Sequence, residues 1–214
     1  MTGWQLDLPK SRVRLEHVIF FSDAIFAFSI TIVLLSIQIP QLPNNATEAD
    51  LMKELWKLQP AFESYGISFG VIGVYWISYH KVISRISDSH PIMIGLNLVF
   101  LFFVTLISLF TVLNINYGSF HIVFILYAII LVLTGSTLAL IWLVAVRTEL
   151  IQGDMSTNLR KVFILNSITP PIIFLISIGI SFVSIDVAQY FWLTIIPCRI
   201  LVGKIEYRQP NKAS

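Results

Sequence analysis

The sequence predicts an all-α integral membrane protein, a bundle of six transmembrane helices, and three observations predict it. Hydrophobic residues make up 56% of the 214 and charged residues only 12%, about half the charge of a soluble domain, and mean hydropathy is +0.81. Six segments hold close to the ~20 apolar residues that a bilayer crossing needs. The basic residues also gather on one side of those segments. A water-soluble fold of this length has too little polar surface to cover so much apolar side chain, so soluble classes are excluded.

The spans run Val18–Ile39, Ala61–Tyr79, Pro91–Leu113, His121–Val146, Val162–Ile185 and Val187–Val202. The first follows a polar N-terminal stretch with no small-residue cleavage site and is too long for a signal-peptide core, so it reads as a retained span. Between the first and second spans, Gln41–Gln59 carries Pro43, Asn44 and Asn45, then acids and lysines, which predicts a loop with a short amphipathic helix from Glu48 to Lys57. The connections at 80–90 and 114–119 are short and polar. Thr169-Pro170-Pro171 reads as a break in the fifth span. The sixth is the shortest and contains Pro197. No internal repeat is visible, so residues 1–214 form one six-helix transmembrane domain.

Orientation comes from lysine and arginine. Lys10, Arg12, Arg14, Lys81, Arg85, Arg147, Arg160, Lys161, Arg199, Lys204, Arg208 and Lys212 fall on one side, and only Lys53 and Lys57 on the other. By the positive-inside rule both termini are cytoplasmic, and an even number of spans follows. A single cysteine, Cys198, excludes an internal disulfide. The four histidines, His17, His80, His90 and His121, are scattered along the chain. No nucleophile set, metal-type cluster or phosphate-binding glycine loop accompanies them. Neither a cofactor nor enzymatic activity is expected, and nothing points to nucleic acid.

One acid lies where none is expected. Asp23 sits within the first span, between Phe20-Phe21-Ser22 and Ala24-Ile25-Phe26. A carboxylate at the centre of a membrane helix costs about 2.5–3.5 kcal/mol, less near an end. Lipid offers neither Ser22 nor Asp23 a partner, so both are expected to face donors on neighbouring helices. Trp76, His80 and Asn97 are the candidates at matching depth. The ordinary alternative is a helix-start residue near the headgroups. Further along, Phe28, Thr31, Ile32 and Leu35 follow the i, i+3, i+4, i+7 spacing of one helical stripe. On spacing alone that stripe is most simply helix–helix packing.

Phe21-Ser22-Asp23, followed by Ala-Ile-Phe-Ala-Phe-Ser-Ile-Thr-Ile-Val-Leu-Leu, resembles the first-helix signature of the endosomal/lysosomal transmembrane potassium-channel family. The resemblance continues through Ser68-Phe69, Trp76-Ile-Ser-Tyr-His80 and Asn97-Leu-Val-Phe-Leu101, and beyond that in the number and length of spans. A single set of six helices resembles the family's prokaryotic members. The resemblance implies a homotetramer in a prokaryotic plasma membrane, passing potassium through a central pore lined by the first helix of each subunit. It implies pore constriction and selectivity at Phe28, Thr31, Ile32 and Leu35, the same set as the stripe. It also implies a packing network of Phe21, Ser22 and Asp23 with Trp76, His80 and Asn97. The partners implied are other copies of the chain, membrane lipids and the permeant ion. Two positions depart from the family's pattern: His17 stands where a basic residue, typically arginine, is usual, with Arg14 one turn earlier, and Phe28 stands where an aliphatic is usual. The competing reading is a proton-coupled or small-solute transporter, with Asp23, His17 and His80 as a proton relay.

Overall fold

A computed structural model describes residues 14–88, 90–151, 153 and 157–207. Of the residues used above for orientation, Lys10, Arg12, Arg208 and Lys212 lie outside it. The described chain is all-α, in the order α1 (Leu15–Leu35), α2 (Glu48–Trp56), α3 (Gln59–Ile83), α4 (Pro91–Tyr117), α5 (His121–Arg147), α6 (Thr157–Ser181), α7 (Ile185–Phe191) and α8 (Ile195–Tyr207), with a 3₁₀ turn at Trp192–Thr194 between the last two.

Local sequence sets the boundaries. Pro60 and Pro91 fall in the first turns of α3 and α4, where a missing N–H costs nothing. The short amphipathic helix expected after α1 is α2, opened by a capping box in which Thr47 Oγ1 and N both donate to Asp50 Oδ2, at 2.7 and 2.9 Å. Those two bonds, the hydroxyl's first, hold the Asp50 carboxyl below its usual range. Ser184 caps α7 by accepting from the Val187 N–H.

Two expectations change. The Pro170-Pro171 pair does not break its helix: α6 runs continuously from Thr157 to Ser181 through both. Packing accommodates the rings, because Gly135 on α5 faces them. A Cβ on Gly135 would lie 2.5 Å from Pro171 Cγ and 3.1 Å from Tyr75 Oη, so only glycine permits the approach. The sixth segment, read as one helix over Val187–Val202, is instead α7, the 3₁₀ turn and α8. Pro197 cannot donate to the carbonyl four residues back, so the helix restarts two residues before it, where its missing N–H belongs to an opening turn. The tight turn drives Trp192 into the core. There its Nε1 donates to Ser177 Oγ at 2.8 Å and its ring packs on Phe124, Tyr127 and Phe174.

Among the described residues, four helices are long and apolar enough to cross a membrane: α1, α4, α5 and the Val162–Ser181 part of α6. The helix α3 falls short in apolarity because it carries hydroxyls and aromatic polar tips, which it spends inside the bundle. Ser68 Oγ meets Tyr127 Oη at 2.8 Å, and Tyr75 Oη donates to the Leu131 carbonyl. The core is centred on α5, with Tyr127, Trp142, Phe124 and Phe100 fully buried. Outward-facing Phe102, Leu109, Leu140, Ile172 and Leu175 remain exposed, which is how helices meet lipid rather than water. At one end of the bundle, Ser87 N and Oγ both donate to the Leu150 carbonyl, at 2.8 and 2.9 Å, joining the α3–α4 and α5–α6 connections.

Candidate functional site on the first helix

Helix α1 has two faces of different character. Val18, Ser22, Phe26, Ser29 and Val33 are buried, at spacings of three and four, and turn to α3 and α4. Phe28, Thr31, Ile32 and Leu35 lie on the other side, uncovered by the other described residues. Phe28 is 59% exposed and Leu35 83%. Of the four membrane-length helices, α1 is the least buried by its own chain.

The buried face is held by a polar anchor. Ser22 Oγ donates to the Val18 carbonyl at 2.7 Å, pairs with Tyr79 Oη at 2.8 Å and accepts from Asn97 Nδ2 at 3.1 Å. A hydroxyl has one proton to give and two lone pairs to accept with. With the proton on Val18, Tyr79 and Asn97 are the two donors and the group is saturated. Asn97 is 3% exposed and its Oδ1 has no partner among the described residues. One turn further in, Phe26 packs against both Tyr79 and Phe100, whose rings stack on each other at 5.6 Å. Beyond it, Ser108 Oγ of α4 donates to the Ser29 carbonyl at 2.7 Å.

Asp23 lies beside this anchor rather than in it. Its Oδ1 accepts from Trp76 Nε1 at 2.9 Å and stands 3.3 Å from His80 Nε2. Both side chains of the Asp23–His80 pair are about one-third exposed, at 38% and 34%. The other ring nitrogen of His80 lies 3.2 Å from the Trp76 carbonyl. A neutral imidazole donates to only one of these two acceptors, a protonated one to both. The Trp76 and His80 rings are 4.6 Å apart, so indole, imidazole and carboxylate form one compact unit.

Of the residues named from sequence, Ser22, Asp23, Trp76, His80 and Asn97 are thus in contact. His17 and Arg14 are not brought to Asp23: His17 is exposed, and Arg14 pairs with Glu16 at 3.1 Å in the open. Phe21 is also exposed. Sequence reasoning missed Tyr79, although it follows Trp76 by three positions and so shares its face. On the uncovered face, Thr31 Oγ1 bonds the Ala27 and Phe28 carbonyls, each at 3.0 Å. Its proton is spent on its own helix, leaving lone pairs outward, an acceptor for a cation or water. Among the described residues no three His, Cys, Asp or Glu side chains converge as metal ligands.

Comparison with known proteins bears on this helix first. Residues 17–107, from just before the anchor to the middle of α4, match the model of the family described as endosomal/lysosomal potassium channel TMEM175. A protein of Streptomyces collinus named a potassium channel is 25% identical over 173 residues, 77% of this chain and 81% of its own. Another so named, from Chamaesiphon minutus, is 31% identical over 97 residues, 45% of this chain and 47% of its own. Among solved structures, a lysosomal potassium-selective channel TMEM175 homolog from Chamaesiphon minutus superposes with a TM-score of 0.69 at 22% identity, covering 91% of this chain and 97% of that one. A variant of the potassium channel MtTMEM175 gives 0.58 at 17% identity, over 97% and 100%. The chain thus resembles the TMEM175 potassium-channel family in sequence over residues 17–107, and over most of its length it has the fold of these two solved channels.

Proposed function

We propose that this chain is a potassium-permeable, moderately potassium-selective cation channel, four copies of which surround a central pore lined by α1. One observation carries the reading: Phe28, Thr31, Ile32 and Leu35 stand uncovered on the face of α1 opposite a saturated polar anchor. An apolar stripe that its own chain leaves bare, on a helix held firmly from behind, suits the wall of an assembly axis. The names of the relatives, all potassium channels, agree with a channel and give no support to an enzyme.

Closed, rings of Phe28, Ile32 and Leu35 exclude hydrated ions by dewetting. Opening splays or rotates the four α1 helices, and Thr31 oxygens with water replace part of the lost hydration. Potassium sheds its water more cheaply than sodium, which gives the preference its direction. Counting α3 as the second crossing and α7–α8 as the sixth, the chain crosses six times as one domain, with its basic end and both termini in the cytoplasm of a prokaryotic cell. The transporter reading named Asp23, His17 and His80 as a proton relay; Asp23 pairs with His80 while His17 stands exposed, and the proline-broken helix that would suit a transporter is an unbroken α6.

The test is the potassium-versus-sodium reversal potential of purified protein in a planar bilayer, with no proton gradient imposed. A shift toward the potassium equilibrium potential is expected, together with four copies per particle by native mass spectrometry. Flux that stalls without a proton or counter-ion gradient refutes the channel. Unchanged flux in the alanine variants of Phe28, Ile32 and Leu35 refutes the pore lining.

A further inference from the structure

Arg199, on α8, carries a charge that the described chain does not neutralise. Its Nη1 donates to the Val74 carbonyl at 2.8 Å and to Ser78 Oγ at 2.6 Å, both on α3. A guanidinium has five N–H donors. Those on Nε and Nη2 find no acceptor among the described residues. Nor do they find a carboxylate, since the ion pairs there are Arg14–Glu16, Lys57–Glu54 and Asp23–His80. A partly buried cation among apolar helices is costly unless an anion meets it.

Among the described residues, the wall of the cleft beside Arg199 offers more donors and no acid. This cleft of about 10 Å³ opens between α3, α6 and α8, with Ser78, Lys81, Phe163, Asn166, Ser167 and Arg199 in its wall. Asn166 is 8% exposed, and its amide makes no hydrogen bond among the described residues. Arg85 lies over the Phe163 ring at 5.7 Å. Arg160, two turns before Ser167 on α6, keeps its Nε buried, with no partner among the described residues. Cations from three helices thus converge where α3 ends and α6 begins, and Ile196 and Ile200 beside Arg199 present exposed apolar surface.

We propose that this cleft binds a phosphate-bearing anion, with the headgroup of an anionic phospholipid as its source. The cleft has the volume of about one water. One phosphate oxygen therefore enters between the open edge of Arg199 and the Asn166 amide, and the rest of the group stays at the mouth beside Lys81. A planar fork of donors suits phosphate better than a point charge does. Basic clefts between membrane helices are where anionic headgroups dock, and Ile196 and Ile200 give an acyl chain a surface that free phosphate would not use. The inference is independent of the pore reading.

Native mass spectrometry of the detergent-solubilised protein tests it, with dioctanoyl-phosphatidylglycerol, dioctanoyl-phosphatidylcholine and inorganic phosphate compared at equal concentrations. The anionic lipid is expected to be retained about tenfold more tightly than the zwitterionic one. Arg199→Gln should weaken it by about tenfold and the exposed Lys81→Gln by about threefold. If Arg199→Gln does not fold, Arg199→Lys, which keeps the charge and loses the fork, carries the comparison with Lys81→Gln. Retention of inorganic phosphate that these variants weaken upholds the anion site and makes the free ion its source. Equal retention of the two lipids, or anionic binding indifferent to the variants, overturns the proposal.

Discussion

Replacing Ser22 by alanine tests whether the polar anchor holds α1 in place. The change removes one hydroxyl, and with it the acceptor for Tyr79 Oη at 2.8 Å and for Asn97 Nδ2 at 3.1 Å. Both groups are buried, Tyr79 completely, so water does not take the vacated role. In soluble proteins each such orphan costs about 1–3 kcal/mol. In membrane proteins interhelical hydrogen bonds average about 0.6 and reach about 1.7 kcal/mol, because the reference state also finds partners. Two orphans with Asn97 Oδ1 already unpartnered place the expected loss near the upper membrane figures, about 1.5–3 kcal/mol. The assay is unfolding in mixed micelles, followed by helical circular dichroism. Ser36→Ala serves as the reference, because that hydroxyl bonds only the Val33 carbonyl of its own helix and should cost no more than about 0.5 kcal/mol. Adding Tyr79→Phe closes a cycle whose coupling should be at least about 0.5 kcal/mol. A Ser22→Ala loss equal to that of Ser36→Ala, with strict additivity in the cycle, refutes the anchor.

Gly135→Ala pushes a Cβ to 2.5 Å from the rigid Pro171 ring; a loss of about 1–3 kcal/mol is expected in the same unfolding assay, and an unchanged midpoint refutes the close packing of α5 on α6. Phe28→Ala should raise single-channel conductance, whereas Phe102→Ala, equally bare but on α4, should not; equal effects refute the placing of Phe28 in the pore. Trp76→Phe removes the 2.9 Å bond to Asp23 while keeping a ring beside His80, and should cost about 1–2 kcal/mol with potassium preference unaltered, so a pure selectivity change refutes a positioning role. The α2 cap depends on an ionised Asp50 whose pKa is depressed by Thr47. Its stabilisation is therefore present above the ordinary carboxylate pKa of about 3.9 and is lost as pH falls through the lower folded value. Amide exchange in the first turn of α2 should be slow near pH 6 and severalfold faster in Asp50→Asn; identical rates in the two proteins refute the capping box.

Much of the helix order was legible because bilayer length and apolarity leave few alternatives, and the ends of α4 and α5 fall within a few residues of those expected. What sequence does not carry is azimuth in three dimensions. Asp23 drew notice as the unexpected charge, yet Ser22 is the saturated, fully buried group and Asp23 sits a third exposed at its side. The Trp76–His80 segment shows several polar side chains, and only the rotation of α3 against α1 selects Tyr79 for the serine and Trp76 for the acid. The proline pair misled for a related reason: a helix break is judged from the chain alone, whereas the space made by Gly135 lies 36 positions away in sequence. At Pro197 the local rule did operate, and only the length of the uninterrupted helix was read too generously. His17 and Arg14 looked like reach for Asp23, but both project from the exposed opening turn of α1.

The joint between the two short connections has a consequence for the order in which the protein is made. Ser87 donates to a carbonyl 63 residues later, and the whole of α4 and α5 lies between them. A chain emerging from the ribosome presents Ser87 long before Leu150 exists, so this clasp closes only after the intervening hairpin has entered the bilayer and turned back. The α1–α3–α4 contacts need nothing beyond Asn97 and Ser108, and they are complete before that point. The anchored helix is thus set early, and the end of the bundle that carries Arg85 and Arg160 is the last part to become a surface.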